Sequence, residues 1–189
     1  PTSRSPHRKT LCARKRSSGP GEPPRGRARS LRERPFLLIP SNLRIGLGFD
    51  VHPFVSGRPL KLGGVAIPHS VGLAGHSDAD VLLHAIADAV LGSVADGDIG
   101  RHFPPGDPST RDMDSLDLLR QVRDRLARKG ARVVNVDAVV IAEAPRIGPH
   151  RDAMRGVIAA ACGITLDRVG VKATTNEGLG FAGRRGGIA

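Results

Sequence analysis

Regular patterning of apolar and polar residues begins near Leu43 and runs to the end of the chain. RIGLGFDVH, residues 44–52, reads as a strand, in which successive side chains face opposite ways. Asp50 and His52 then share one face and Val51 is expected to point into the core. LKLGGVAIP, residues 60–68, reads as a short hairpin turning at Gly63-Gly64. Asp78 is expected to cap a helix over residues 79–95, ended by Gly97. Ser115 caps a second helix with the apolar stripe Leu116, Leu119, Val122 and Leu126, and Gly130 lies just past its end. Residues 132–142 form a strand, 149–163 a helix closed by Gly163, and 169–175 a last strand entering the Gly-rich loop GLGFAGRRGG. Strands alternating with helices predict an α/β (α+β) sandwich, a sheet covered by helices on one side. No internal repeat occurs.

Composition narrows this picture. The 189 residues suffice for one domain, or one domain and a tail. With 39% hydrophobic residues, no Trp or Tyr and five Phe, the core must be built from Val, Leu, Ile and Ala. No apolar run reaches the roughly 18 residues of a membrane span. Cys12 and Cys162 are too few for a disulfide framework or a cysteine zinc knuckle, and fit a reducing compartment.

The net charge of +11 suggests nucleic acid until it is divided along the chain. Residues 1–43 hold 11 Lys and Arg against Glu22 and Glu33, whereas the remainder holds 18 bases against 16 acids. The basic character therefore belongs to an Arg-, Ser-, Pro- and Gly-rich extension expected to be disordered. That extension reads as a transit segment, a nucleic-acid arm or, preferably, an appendage outside the working domain 44–189.

Candidate chemistry starts at Asp50 and His52. A carboxylate and an imidazole side by side pair with each other or share a cation. The first helix carries Asp80, His84 and Asp88 at i, i+4 spacing, with Leu82, Leu83, Ile86, Val90 and Leu91 on its buried side. A flanking carboxylate is a ready partner for the second nitrogen of His84. Asp50, His52 and His84 together make a three-ligand site with one open position, as in catalytic zinc; a solvated helix face is the plainer alternative. HSDAD sets His76 and Ser77 before a helix start, where an anion is favoured. GDIG places Asp98 between glycines, within reach of a ligand such as a sugar hydroxyl. KATTNE ends a strand with two hydroxyls and a carboxylate, suited to phosphate oxygens and a divalent ion. Taken singly, each also reads as an ordinary cap, turn or strand end.

GFDVH, HSDxDxxxH, GDIG, FP, APR, PH and KATTNExLGF occur in one order and at close spacing between Arg44 and Ala189. In this the chain resembles the 2-C-methyl-D-erythritol 2,4-cyclodiphosphate synthase family of the non-mevalonate isoprenoid pathway. The resemblance implies a cytoplasmic homotrimer (plastid-bound if residues 1–43 are a transit segment). Its mixed sheets face a threefold axis and its active sites lie between subunits. The implied reaction converts 4-diphosphocytidyl-2-C-methyl-D-erythritol 2-phosphate to the 2,4-cyclodiphosphate, releasing CMP.

Residue by residue, Asp50, His52 and His84 match the family's metal ligands, for zinc or alternatively manganese. Glu177 matches the contact to a second ion, magnesium or manganese, bridging the substrate diphosphate. His76 and Thr175 match the transition-state stabilisers, with Ser77 beside the same phosphates. Asp98 and Gly100 match the erythritol-binding loop, and Phe103 and Asp107 flank it. The cytidine pocket corresponds to Ala142, Ala144, Pro145, Arg146 and Gly148 with Thr174 and Thr175; Phe181 and Arg184 are further contacts.

Three departures are visible. Pro105 stands where the family has an acid, and Gly186 replaces an acid often found two places after Arg184, so an axial isoprenoid ligand is not carried over. Family members also continue past GGIA through a last strand, so an unpaired sheet edge and weaker trimers are expected. A zinc phosphohydrolase using the same ligands is the alternative enzyme; a linear rather than cyclic product would mark it. A basic-tailed RNA-binding protein is the other rival, but residues 44–189 lack basic clusters interleaved with aromatics. Neither a membrane nor nucleic acid is an expected partner.

Overall fold

The computed structural model describes residues 42–108 and 113–189, so the basic extension lies almost wholly outside the described residues. In chain order these form β1 (His52–Val55), β2 (Leu60–Leu62), β3 (Val65–Ile67), β4 (Gly72–Leu73), α1 (Val81–Ser93), α2 (Ile99–His102) and α3 (Ser115–Arg128). Then come β5 (Val136–Ile141), α4 (Arg151–Cys162), β6 (Val169–Thr174), α5 (Gly180–Gly183) and β7 (Gly187–Ile188).

The sheet is mixed. β1 pairs antiparallel with β4, Phe54 opposite Leu73, and with β7, His52 opposite Ile188. β5 and β6 pair in parallel from Val136–Val169 to Ile141–Thr174. Ala189 exchanges two backbone bonds with Ile141, at 2.8 and 3.2 Å, so residues 187–189 tie β1 to β5. α1 packs on α3 and β5, α3 on α4, and α4 on β6. Leu83, Leu91, Leu119, Val122, Val140, Met154 and Ile158 are buried between these layers. Each fully buried Leu or Val contributes about 1.5–3 kcal/mol relative to exposure, which lets an aliphatic core replace a larger aromatic one.

The hairpin is as expected. Gly63 and Gly64 have φ of 59° and 75°, the left-handed values that a tight two-residue turn requires. Both their N–H groups donate to the buried Asp80 carboxylate, at 2.8 and 2.7 Å, which also accepts from Leu83 N at 3.1 Å. One side chain thus ties the hairpin to the start of α1. Burial pushes the Asp80 carboxyl upward, against these three donors.

Four sequence expectations change. The N-cap of α1 is Asp80 rather than Asp78, because Ala79 has φ +58° and cannot belong to a right-handed helix. Asp114 caps α3, accepting from Leu116 N at 2.8 Å, and Ser115 becomes the first helical residue with its hydroxyl turned inward. On that helix Leu118 is buried while Leu116 is only partly so.

The first strand also begins later, at His52, and Val51 is 41% exposed. Gly46 and Gly48 explain the reversal. A Cβ on Gly46 would lie 1.7 Å from Ala89 O, and one on Gly48 1.9 Å from Ala85 O. The segment therefore lies against the backbone of α1 on its glycine side, leaving Ile45, Leu47, Phe49 and Val51 exposed. The fourth change concerns the partner of His84 and belongs to the site.

Candidate active site

Asp50 and His52 stand at the entry to β1, and His84 lies on α1 among buried residues. Asp50 Oδ2 is 2.9 Å from His52 Nε2 and 3.1 Å from His84 Nδ1, and the two nitrogens are 3.4 Å apart. Ligands about 2.0–2.1 Å from a tetrahedral zinc stand about 3.3 Å from one another, so the spacing fits a metal ion.

The surrounding bonds also fit. His52 Nδ1 donates to Ala74 O at 2.5 Å, leaving Nε2 with a lone pair toward Asp50 and His84. Behind His84, Nε2 is 3.0 Å from Ser115 Oγ and 3.3 Å from Ser77 Oγ. The expected flanking carboxylates are engaged elsewhere: Asp80 at the hairpin and Asp88 with Ile99 N at 2.7 Å. A hydroxyl therefore takes the place that sequence spacing assigned to a carboxylate. The three ligand atoms form a site for one divalent ion, with an anionic oxygen among them.

Electrostatics agree with that reading. Burial alone would raise the Asp50 carboxyl, but the His52 and His84 rings beside it outweigh burial and hold it well below the usual range. Asp50 in turn raises the proton affinity of His52 above the ordinary value. Behind the site, burial opposes ionisation of Asp78, yet Lys61 and Ser115 hold its carboxyl below the usual range. Lys61 Nζ lies 2.7 Å from Asp78 Oδ2 and 3.0 Å from Asp114 Oδ2.

A cleft of about 210 Å³ opens beside the three ligands. His76, Ser77, Gly100 and Phe103 line it, as does Pro105. Arg58, which sequence reasoning passed over, pins the loop carrying His76: it donates to Gly75 O at 2.5 Å and to Ser77 O. Asp98 and Asp107 are not among the lining residues. Asp98 caps α2 instead, accepting from Arg101 N at 2.9 Å.

The other expected contacts lie outside that cleft. Ala142 N donates to Thr174 O at 3.0 Å, and Thr175 Oγ1 donates to Glu177 Oε1 at 2.8 Å. Glu143, also missed from sequence, accepts from Asn176 N and Gly178 N, at 2.9 and 3.2 Å, and so joins residues 142–148 to the loop after β6. Ala144-Pro145 is cis, and Phe181 and Arg184 lie in and just after α5. None of Ala142, Ala144, Pro145, Arg146, Gly148, Thr174, Thr175, Glu177, Phe181 or Arg184 lines the metal-side cleft. The expected contacts therefore fall into two groups, one lining the metal-side cleft and one outside it.

The family model that matches is that of the YgbB family, over residues 43–189. The chain belongs to the YgbB family. It is 59% identical over 147 residues to the 2-C-methyl-D-erythritol 2,4-cyclodiphosphate synthase of Moorella thermoacetica, covering 78% of this chain and 90% of that one. The synthase of Bordetella avium is 60% identical over 153 residues, 81% of this chain and 93% of its own. A solved 2C-methyl-D-erythritol-2,4-cyclodiphosphate synthase in its CDP-bound form superposes with a TM-score of 0.71 at 36% identity, covering 77% and 94% of the two chains. This YgbB member thus has the mixed α/β fold of that synthase, and its Asp-His-His cluster lies within the matched residues. Among the described residues no helix is long and apolar enough to cross a membrane.

Proposed function

We propose that the chain catalyses ring closure of 4-diphosphocytidyl-2-C-methyl-D-erythritol 2-phosphate, a step of non-mevalonate isoprenoid biosynthesis. An oxygen of the 2-phosphate bonds to the β-phosphorus while the bond from that phosphorus to the α–β bridging oxygen breaks. The products are 2-C-methyl-D-erythritol 2,4-cyclodiphosphate and CMP. The observation that carries this reading is the Asp50–His52–His84 cluster opening on a cleft lined by His76 and Ser77, in a chain of this family.

No protein nucleophile is required, because the substrate supplies its own. The barrier lies in bringing anionic phosphates together, so positioning and charge neutralisation carry the rate. Asp50, His52 and His84 would hold a divalent ion, which would supply Lewis-acid polarisation to the phosphate; zinc is our assignment, with manganese as the alternative. His76 and Ser77 hold the phosphate at the cleft mouth, and Gly100 and Phe103 shape the erythritol end with Asp98 and Asp107 beside them.

Glu177 would hold a second ion, magnesium or manganese, which would supply further charge neutralisation, and Thr175, whose hydroxyl bonds Glu177 in the free chain, would turn it to the phosphates. Cytidine lies along Ala142, Ala144, Pro145, Arg146 and Gly148, with Thr174, Phe181 and Arg184 completing the contact. We assign the two groups of contacts to facing sides of neighbouring subunits in a homotrimer, each group being half of one active site. The exposed row of Ile45, Leu47 and Phe49 (88%, 92% and 69%) supports an apolar face covered by another copy. The cytoplasm is the compartment we propose, consistent with two cysteines, of which Cys162 is buried and free.

Phosphorus NMR of the zinc- and magnesium-loaded protein with this substrate tests the reading. Cyclic diphosphate and CMP are expected from wild type and not from His84→Ala. A metal-loaded assembly that makes no cyclic product overturns it.

A further inference from the structure

Three residues behind His84 form a chain that no ligand contact explains. Ser115 is fully buried, and its hydroxyl has one proton to give. That hydroxyl bonds Asp78 Oδ1, while Ser115 N donates to Asp78 Oδ2 at 3.2 Å. Lys61 Nζ, 2.7 Å from Asp78 Oδ2, keeps the carboxylate charged and so an acceptor. With the Ser115 proton committed to Asp78, only a lone pair of Oγ faces His84 Nε2 at 3.0 Å. The contact is a hydrogen bond only if Nε2 carries the proton. Ser77 Oγ, the other neighbour of Nε2, is more distant at 3.3 Å and accepts from Ala79 N at 3.2 Å. His84 Nδ1 is then the lone-pair nitrogen, and Nδ1 faces Asp50 and His52.

We propose that Lys61, Asp78 and Ser115 are positioning residues that hold His84 as the Nε2–H tautomer, so that Nδ1 is presented to the metal. The inference rests on the three-ligand reading of the site but not on the reaction assigned to it. His52 supplies an internal contrast: it is held the opposite way round, by a backbone carbonyl at Nδ1, and meets the metal through Nε2. The two histidines thus need different partners behind them, and only the His84 partner is a side chain that can be removed.

The test uses protein labelled with nitrogen-15 at histidine, loaded with zinc, with zinc affinity measured alongside by competition with a chelator. In wild type the His84 proton should sit on Nε2 and exchange slowly with water. Ser115→Ala should weaken zinc binding about 10–100-fold, the range for loss of an outer-shell partner, and expose that proton to fast exchange. The His52 Nδ1 proton should stay protected, showing that the site has not simply loosened. Ser115→Thr, which keeps the hydroxyl, should restore both readouts. Lys61→Gln, at a partly exposed position, should weaken zinc binding several-fold without touching the core.

A wild-type His84 proton on Nδ1, or on Nε2 but in fast exchange, overturns the proposal even if Ser115→Ala fails to fold. So does zinc binding unchanged in both Ser115→Ala and Lys61→Gln. Turnover is not read at all, so failure of the cyclisation assignment would leave these results standing, and the reverse.

Discussion

Asp50 Oδ2 lies 3.1 Å from His84 Nδ1 although 34 positions separate the two in the chain. The contact joins the entry of β1 to the second turn of α1, and it is possible because Gly46 and Gly48 let the preceding segment lie on the helix backbone. Removing the carboxylate should cost metal before it costs fold. Asp50→Asn is expected to weaken zinc binding by more than about 100-fold, beyond the range for an outer-shell partner. Calorimetric titration with zinc measures it, and a circular dichroism spectrum like wild type should accompany the loss. Chelation of the wild-type metal should likewise abolish turnover, and added zinc should restore it.

Gly48 is the more fragile position structurally. Its missing Cβ would sit 1.9 Å from Ala85 O, with backbone rather than a movable side chain in the way. Gly48→Ala should therefore destabilise by about 3 kcal/mol or more, at or above the top of the usual overpacking range. Urea unfolding checks this, and zinc affinity should fall with it because Asp50 and His52 follow directly. A variant as stable as wild type would show that the segment does not pack on α1 this way.

Asp80 should matter for stability and not for chemistry. Asp80→Ala leaves Gly63 N, Gly64 N and Leu83 N without their acceptor. Loss of a helix cap together with two hairpin bonds should cost about 2–4 kcal/mol. Thermal or urea denaturation reads this directly, and the zinc affinity of the folded fraction should change little.

Acid sensitivity should be traceable to Asp96, in the loop after α1. Hydrogen bonds from Lys129 and Arg125 hold its carboxyl down at about 2, with Lys129 Nζ at 2.8 Å and Arg125 Nε at 2.5 Å. The folded value lies below the unfolded one of 3.8, so the contribution is present above that pH and is lost as pH falls through the folded value. Urea midpoints of wild type and Asp96→Asn should differ at pH 7, begin to close below about pH 4 and converge only near pH 2. A gap that persists unchanged down to pH 3 would exclude this origin.

Assembly should depend on the exposed apolar row. Leu47 is 92% exposed, and Leu47→Asp places a charge on the face assigned to the neighbouring copy. Sedimentation should show wild-type trimers and variant monomers, with cyclisation lost and zinc binding kept, since the metal ligands come from one subunit. Trimers of undiminished stability would move the interface elsewhere.

The order of the three long helices and of β5 and β6, the Gly63-Gly64 hairpin, the aliphatic side of α1 and the three metal ligands were legible in the residues, because each is a local pattern or a motif that keeps its spacing, whereas the short β4, α2, α5 and β7 were not. The face of the first segment was not. Alternation correctly set Val51 opposite Asp50 and His52, but a period of two does not say which face is the core. The close approach of Gly46 and Gly48 to α1 decided that, and it turned Val51 outward. Asp78 and Ser115 read as helix caps because Asp and Ser before an apolar run usually are. Only the packing of α3 on α1 brought them behind His84.

By itself the sequence determined which side chains are available: two imidazoles and a carboxylate with metal-binding chemistry, glycines where backbones must touch, and a family identity spread over many short motifs. Tertiary structure decided which nitrogen of each histidine faces the site, because that depends on what lies behind the ring. For His52 it is the carbonyl of Ala74, and for His84 a hydroxyl carried by another helix. Periodicity reports the direction of a side chain from its own backbone, whereas these partners come from segments far away in the chain and meet only when the layers pack.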